Sequence, residues 1–275
     1  MDKFQDMNMP KYKTYKIRNA EVTVDIGYES EIGIYADPFW QQIADGQYEK
    51  VTFDFLENLY KSGYEYFLDI GAATGCMSLY AASTGMKVIA VEPQELVYSA
   101  LVKNVGLNPT LKSQISLEYA LVSGSSQQAS VSEAFTPGAA GPIASGALTS
   151  NSVTLIELLQ RCPINSKVAM KIDIEGAEFP LLSNASTISY LASRKPLIYI
   201  ALHPGFKRPL DKNSSYTKRL IWRVQAAQDA INFYFTISRR AKIEVAYTMR
   251  RVRLLGLLAA LAKDEKDYLI NFTLE

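Results

Sequence analysis

The stretch Tyr66–Tyr80, YFLDIGAATGCMSLY, constrains this chain more than any other. An aromatic-apolar run ends at a carboxylate, Asp69. Gly71 and Gly75 then flank Ala72-Ala73-Thr74, and a helical apolar pattern follows through Met77, Leu79 and Tyr80. This order predicts a buried strand, a tight turn and a helix N-terminus. Two glycines in the turn let backbone approach a ligand closely, and the helix start offers unpaired N–H groups.

Three kinds of nucleotide ligand sit on such turns. A phosphate-binding loop needs Gly-Lys-Ser/Thr, but the chain reads Gly75-Cys76-Met77. A dinucleotide turn needs G-x-G-x-x-G, but Ala73 and Cys76 stand where the second and third glycines belong. A carboxylate ahead of the first glycine suits a cation better than a pyrophosphate, and S-adenosylmethionine carries both an ammonium and a sulfonium. The pattern Asp-x-Gly-x-x-x-Gly resembles the first motif of Rossmann-like methyltransferases.

Downstream, Lys87–Val91 (KVIAV) reads as a second buried strand delivering Glu92 and Pro93. Two strands joined through a helix make a right-handed parallel unit. Glu92 then stands at the carboxyl end of the neighbouring strand, where a carboxylate can accept both hydroxyls of a ribose. As a helix-entry residue ahead of Pro93 it needs no ligand, so both readings hold at this point. Gln94–Val105 is expected as a helix closed by Gly106, and Ile115–Leu117 as a third strand leading to Glu118-Tyr119-Ala120. Val168–Ile172 (VAMKI) is the fourth strand, followed by Asp173, Glu175, Gly176 and Glu178. Carboxylates behind a buried strand are costly without partners and lie where open α/β sheets bind ligands. Glu178 also fits the positive end of the next helix. Leu197–Leu202 is the fifth strand and ends at His203, the only histidine; an imidazole beside Asp173 is a natural proton acceptor.

The flanks are read more coarsely. Residues 12–35 alternate enough for a small β meander acting as a flap, and Asp37-Pro38-Phe39-Trp40 reads as a turn burying two aromatics. An amphipathic helix follows with Val51, Phe55 and Leu59 inward, ended by Ser62-Gly63. Residues 123–151 are rich in Ser, Gly, Ala and Pro and read as a long substrate-side loop, with Ala129–Phe135 a short strand within it. Thr154-Leu155-Ile156-Glu157 carries a capping box that opens a helix. Beyond Gly205 the chain turns basic. A helix over 215–230 places Leu220, Val224 and Ala227 on one face, and Asp267–Leu274 is expected to pair with a strand near Ile243–Tyr247.

The whole-chain properties exclude several classes. A net charge of +1 carries no global bias toward nucleic acid. Two cysteines, Cys76 and Cys162, cannot form a disulfide framework and fit a reducing compartment. Met1–Asn19 lacks the apolar core of a secretory signal. The longest apolar run, Leu254–Ala262, is far short of the ~20 residues that span a membrane. A cytoplasmic protein is expected, with no nucleic-acid partner and no transmembrane segment.

Several of these stretches coincide with one family. Over roughly residues 45–205 the chain resembles FkbM-type S-adenosylmethionine-dependent methyltransferases. The resemblance rests on Tyr48-Glu49, FLDIGAATGCMSLYAA, VIAVEPQ, Asn104, Asn108, TLIELL and above all KIDIEGAEFPLL, beginning at Lys171. The chain departs from the family at Ile156, where an aspartate is common, and at Leu202-His203-Pro204, where a glutamate-ending strand is frequent.

The resemblance implies an α/β, Rossmann-like class I methyltransferase with a mostly parallel seven-stranded sheet flanked by helices. The flanks, residues 1–44 and 206–275, lie outside the resemblance; from the residue pattern, residues 1–48 are expected to form an N-terminal β extension and residues 49–275 the cofactor-binding domain. The resemblance implies O-methylation of a hydroxyl on a sugar, glycolipid, polysaccharide or related natural product. Apart from the resemblance, the basic C-terminal segment reads as a solvated face or, alternatively, as a surface that attracts an anionic or lipid-linked acceptor. Carried over by position, Asp69, Gly71, Ala72 and Gly75 would hold the methionine end of S-adenosylmethionine. Glu92 would hold the ribose, Tyr119 and Ala120 the adenine, and Tyr48 with Glu49 would close over the cofactor. Asp173 would border the sulfonium and the acceptor. His203, Asp173 and Glu175 are the candidate bases, with no metal expected. The rival readings are an inactive methyltransferase-like scaffold and a nicotinamide-dependent oxidoreductase, since Glu92 fits a ribose in either enzyme. An oligomer is compatible with the sequence.

Overall fold

The computed structural model describes residues 12–27, 37–124, 151–174, 177–203, 215–261 and 267–272, the side chains of Arg219 and Trp222 excepted. The expected features at Ile32, Ile34, Ala129–Phe135 and Glu175 lie outside these residues.

In chain order, β1 (Tyr12–Ile17) and β2 (Ala20–Asp25) form an antiparallel hairpin, followed by α1 (Asp37–Ala44) and α2 (Lys50–Lys61). Next come β3 (Tyr66–Ile70), α3 (Cys76–Ser83), β4 (Lys87–Val91), α4 (Glu95–Gly106), α5 (Pro109–Lys112) and β5 (Ile115–Glu118). Short strands β6 (Leu121–Ser123) and β7 (Ser152–Thr154) precede α6 (Leu155–Gln160) and β8 (Val168–Ile172). The rest comprises α7 (Glu178–Leu181), α8 (Ala185–Arg194), β9 (Leu197–Ala201), α9 (Tyr216–Ser238), β10 (Lys242–Val245), α10 (Leu254–Leu261) and β11 (Asp267–Asn271).

The central sheet has seven strands in the order β10-β11-β9-β8-β3-β4-β5. Neighbours from β9 to β5 pair in parallel, while β11 inserts antiparallel between β9 and β10. The chain runs outward from β3 through β4 to β5, then crosses back to β8 on the other side of β3. The order therefore reverses between β3 and β8, and ligands of open α/β sheets bind at the carboxyl ends of strands at such a point.

Strand parity divides the core into two layers. Leu68, Ile70, Met170, Ile172, Ile198 and Ile200 face one layer with α6, α8 and α9. Phe67 and Ala169 face the other with α2 and α3. Asp69 and Lys171 share the parity of that second layer and stand opposite one another on adjacent strands. One face of the sheet thus carries a carboxylate and an ammonium to the same depth.

The hairpin belongs to this second layer. Tyr15, Ile17, Val22 and Val24 are buried beside Trp40, Phe53 and Leu79. Asn108 grips both polar groups of the Thr23 backbone, its Oδ1 accepting from N–H at 2.9 Å and its Nδ2 donating to C=O at 2.7 Å. Asn104 Oδ1 accepts from the Asp25 N–H at 2.8 Å, and Lys103 pairs with Asp25. The segment is packed into the fold.

Four expectations change. Asp37-Pro38-Phe39-Trp40 is the first turn of α1, because proline is pre-organised for a helix start, and only Trp40 of the two aromatics is fully buried. In α2 the buried residues are Thr52, Phe53, Leu56 and Leu59; Val51 and Phe55 sit at the edge, with the Phe55 ring 5.3 Å from Tyr199. Gly106 is the last residue of α4, whose cap is Leu107. Helix α9 runs eight residues further than expected, to Ser238; its buried residues are Ala230, Phe233 and Ile237, and the face carrying Leu220 and Val224 is exposed. The Thr154–Glu157 capping box is present, and β6 pairs in parallel with β7, closing the two ends of the loop onto each other.

Candidate active site

The floor of the site is the turn after β3. Gly71 adopts φ +82°, and a Cβ built there would fall on the carbonyl oxygen of Asp173. This close approach lets the Asp173 N–H donate to the Ile70 carbonyl at 3.0 Å, while Gly71 and Ala72 N–H both donate to Val91 O at 3.0 Å. Glycine is required here because both the space and the left-handed backbone exclude a side chain. Gly75, at φ +92°, has a different duty: it caps α3, and its Cα faces the Leu101 side chain of α4. The Thr74 carbonyl accepts from Asn104 Nδ2 at 2.9 Å, so the asparagine that holds β2 also holds this turn.

Above the floor lies a cavity open to solvent. Asp69, Gly71, Ala72, Ala73, Glu92, Ala120, Lys171, Asp173, Tyr48 and Glu49 line it. Asp69 is buried; its Oδ2 accepts from Ser78 Oγ at 2.6 Å, whereas its Oδ1 has no hydrogen-bond partner among the described residues. Burial pushes its carboxyl up to about 6, against the pull of Lys171 and Ser78. Glu92 is likewise buried and pushed up to about 7, opposed by the N–H groups of Gln94 and Ala73, which donate to it at 2.9 and 3.0 Å. Lys171 is the counterweight. Burial works against its charge, yet Asp173, Glu49 and Asp69 hold its ammonium well above the usual lysine range, with Nζ 2.8 Å from Asp173 Oδ2.

Four carboxylates therefore face the cavity against one ammonium. An excess of buried negative charge, with one oxygen of Asp69 unsatisfied, favours a cationic ligand. This fits a molecule carrying an ammonium and a sulfonium beside a ribose.

The sequence-derived candidates divide on inspection. Asp69, Gly71, Ala72, Glu92, Ala120, Asp173, Tyr48 and Glu49 meet around one space. Tyr48 leans on Phe39 at 5.0 Å, and Glu49 holds a left-handed backbone (φ 52°) with its carboxylate accepting from Thr52 Oγ1. Gly75 lies behind the turn. Tyr119 lies outside the wall, stacked on Tyr98 at 5.0 Å. Cys76 lines the cavity but is inert as a nucleophile, since burial pushes its thiol up to about 12.

His203 stands at the end of β9, beside the cavity wall formed by Asp173. Its Nδ1 is 3.1 Å from Glu178 Oε1 and 3.7 Å from Asp173 Oδ1, and both His203 and Glu178 are buried. Glu178 Oε1 also accepts from the Ile174 N–H at 3.1 Å, which orients the carboxylate. With Nδ1 protonated and donating to Glu178, Nε2 is the ring's acceptor nitrogen; His203 is not itself among the lining residues of the cavity. One ligand atom each from Asp173, Glu178 and His203 lies within 4.8 Å of the others, a set that also matches a metal's donors. Sequence reasoning assigned Glu178 to a helix terminus and gave Lys171 no role. For Lys171 the signal was a charge inside an apolar strand, which is costly without a partner; for Glu178 the sequence carries none.

A family model described as "Methyltransferase FkbM domain" matches residues 69–213, more than half of the chain. The fold is similar to that of a SAM-dependent methyltransferase from Agrobacterium tumefaciens, at 10% identity over 80% of this chain and 60% of that one, TM-score 0.41. It is also similar to monomeric WbdD, at 13% identity over 86% of this chain and 44% of that one, TM-score 0.46. An O-methyltransferase from Bacillus cereus in complex with SAH matches at 11% identity over 81% of this chain and 80% of that one, TM-score 0.42. The chain thus spans less than two thirds of the length of the first two structures. No curated protein matches it. With the family match spanning the turn, the cavity wall from Asp69 onward and the strand ends that carry Asp173 and His203, the chain belongs to the FkbM methyltransferase family, whose class I fold binds S-adenosylmethionine.

Proposed function

We propose that the protein is an O-methyltransferase acting on a hydroxyl of a sugar, glycolipid, polysaccharide or related natural product. The observation that carries this reading is the buried Glu178–His203 pair, 3.1 Å apart, with the imidazole Nδ1 3.7 Å from Asp173; of the three, Asp173 lines the cavity and the pair stands behind it. A hydroxyl is a poor nucleophile until a base accepts its proton, and an amine or thiolate acceptor would have less need of one.

S-adenosylmethionine supplies a methyl group on a sulfonium that leaves readily. In this reading Asp69 and its neighbours hold the cationic methionine end, and Glu92 accepts the ribose hydroxyls. Ala120 bounds the adenine, and Tyr48 with Glu49 covers the mouth. His203 takes the acceptor's proton on Nε2 while Glu178 fixes the ring, and Asp173, tethered by Lys171, aligns the hydroxyl. Such alignment is worth as much as ~10⁵–10⁸ M in effective concentration. Lys171 already neutralises Asp173, which supports transfer without a bound metal. The basic excess beyond Gly205 supports an anionic or lipid-linked acceptor, and two free, buried cysteines support a reducing, cytoplasmic setting.

The test is transfer of isotopically labelled methyl from S-adenosylmethionine to a panel of hydroxylated glycans and glycolipids. Label on oxygen, lost in His203→Asn while S-adenosylhomocysteine binding persists, is the expected result. Label on nitrogen or carbon, or undiminished transfer in the variant, contradicts it.

A further inference from the structure

Helix α9 has two apolar faces, and only one of them is used. Ala230, Phe233 and Ile237 form the buried seam, with the Phe233 ring 5.8 Å from Phe179. A second stripe runs along Tyr216, Leu220, Val224, Ile231 and Phe235. At 100° per residue these positions share an arc of about 100°, centred roughly 120° away from the buried seam. This stripe faces outward: Tyr216 is 80% exposed, Leu220 48%, Val224 60% and Phe235 48%. Every described side chain from Tyr216 to Gln225 is exposed.

Its charge distribution says what covers it. The first half of α9 carries Lys218, Arg219 and Arg223 and no acid; Asp229 is the only acidic residue in the whole helix. Lys218 and Arg223 are exposed on either flank of the apolar stripe. A second copy of the chain would set these cations against their own kind, with Asp229 alone to meet them. Anionic headgroups answer them directly, while the stripe, about 28 Å long from Tyr216 to Phe235, enters the acyl boundary. No helix among the described residues is long and apolar enough to cross a membrane, so the contact is a surface one.

We infer that the outward face of α9 seats the protein on an anionic lipid bilayer. The inference is independent of the chemistry proposed for the site, since none of these residues lines the cavity.

Flotation of the full-length protein with phosphatidylcholine vesicles, with and without phosphatidylglycerol, tests it. Binding is expected to the anionic vesicles, to weaken with added salt, and to be near background on phosphatidylcholine alone. Each basic residue near an anionic surface contributes about fivefold, so Lys218→Gln with Arg223→Gln lowers the affinity about 25-fold. Leu220→Ser with Val224→Ser abolishes binding; both pairs are exposed, so the melting curve serves as the control for folding. Equal affinity for both vesicle types, or binding unchanged in the charge variant, overturns the inference. A dimer in light scattering that the apolar variant dissociates also overturns it, by making a second copy the occupant.

Discussion

Replacing Gly71 with alanine and Gly75 with alanine separates the two glycines that flank the same turn. At Gly71 an added Cβ meets the Asp173 backbone, including its carbonyl carbon at 3.0 Å, and neither partner can rotate away. The left-handed backbone costs alanine about 1–2 kcal/mol. Prising the strands apart also removes the hydrogen bond from Asp173 N–H to Ile70 O, about 1 kcal/mol more. Gly71→Ala is therefore expected to lose about 3 kcal/mol, a fall in Tm on the order of 6–12 °C for a chain of this size. Because Asp173 moves, S-adenosylhomocysteine affinity falls as well. At Gly75 the added Cβ meets only the Leu101 side chain, Cδ1 at 2.5 Å, so the cost is the backbone's ~1–2 kcal/mol plus a local repacking. Affinity should survive, because Gly75 is not in the cavity wall. Thermal unfolding and calorimetric titration of both variants decide the matter. If Gly71→Ala binds and melts like the parent, or if Gly75→Ala loses binding while retaining stability, the reasoning about this turn fails.

Other expectations are read with similar assays. His203→Asn should lower kcat by about 10²–10⁴-fold with unchanged cofactor affinity. Glu178→Gln should give a smaller loss of kcat with unchanged cofactor affinity, since the ring loses the carboxylate that orients it; a loss as deep as that of His203→Asn, or none, would contradict a positioning role. Asp69 and Glu92 are raised from 3.8 and 4.5 to about 6 and about 7, so the folded protein keeps protons that the unfolded chain releases in this interval. Unliganded stability from these two groups therefore declines as pH rises from about 4 to about 7, and affinity for the cationic cofactor declines as pH drops through about 6; a denaturation series flat across that window would contradict it. Asn104→Ala strands the Thr74 carbonyl and the Asp25 N–H in the interior and should cost about 3 kcal/mol in urea unfolding. Chelation with EDTA should leave methyl transfer unchanged; a loss restored by Mg²⁺ or Mn²⁺ would turn Asp173, Glu178 and His203 into a metal site.

What could be read in the sequence was what local pattern carries. The strands ending at Asp69, Glu92, Asp173 and His203 are short apolar runs punctuated by turn residues, and each carboxylate falls where the run stops. Periodicity served less well in α2, where the apolar arc is broad, about 200° at 100° per residue, and Thr52 is buried in place of Val51. In α9 two apolar stripes share one helix, and the sequence does not say which is covered. Asp37-Pro38 was a helix-start signal taken for a turn. The parallel pair β6–β7 joins three-residue strands too short to show alternation. Tertiary pairings were the least accessible. Glu178 and His203 are 25 positions apart, and Asn104 reaches back 79 positions to Asp25. Nothing in either residue's neighbourhood marks those partners.

Calorimetric titration of the purified full-length chain with S-adenosylhomocysteine, alongside Asp69→Asn, Glu92→Gln and NAD⁺ as control, tests the central claim most directly. The account expects saturable binding by the parent, a loss of at least tenfold in each variant, and no heat from NAD⁺. Binding indifferent to both substitutions, or no binding by the parent, would contradict the assignment of the acid-lined cavity as the cofactor site.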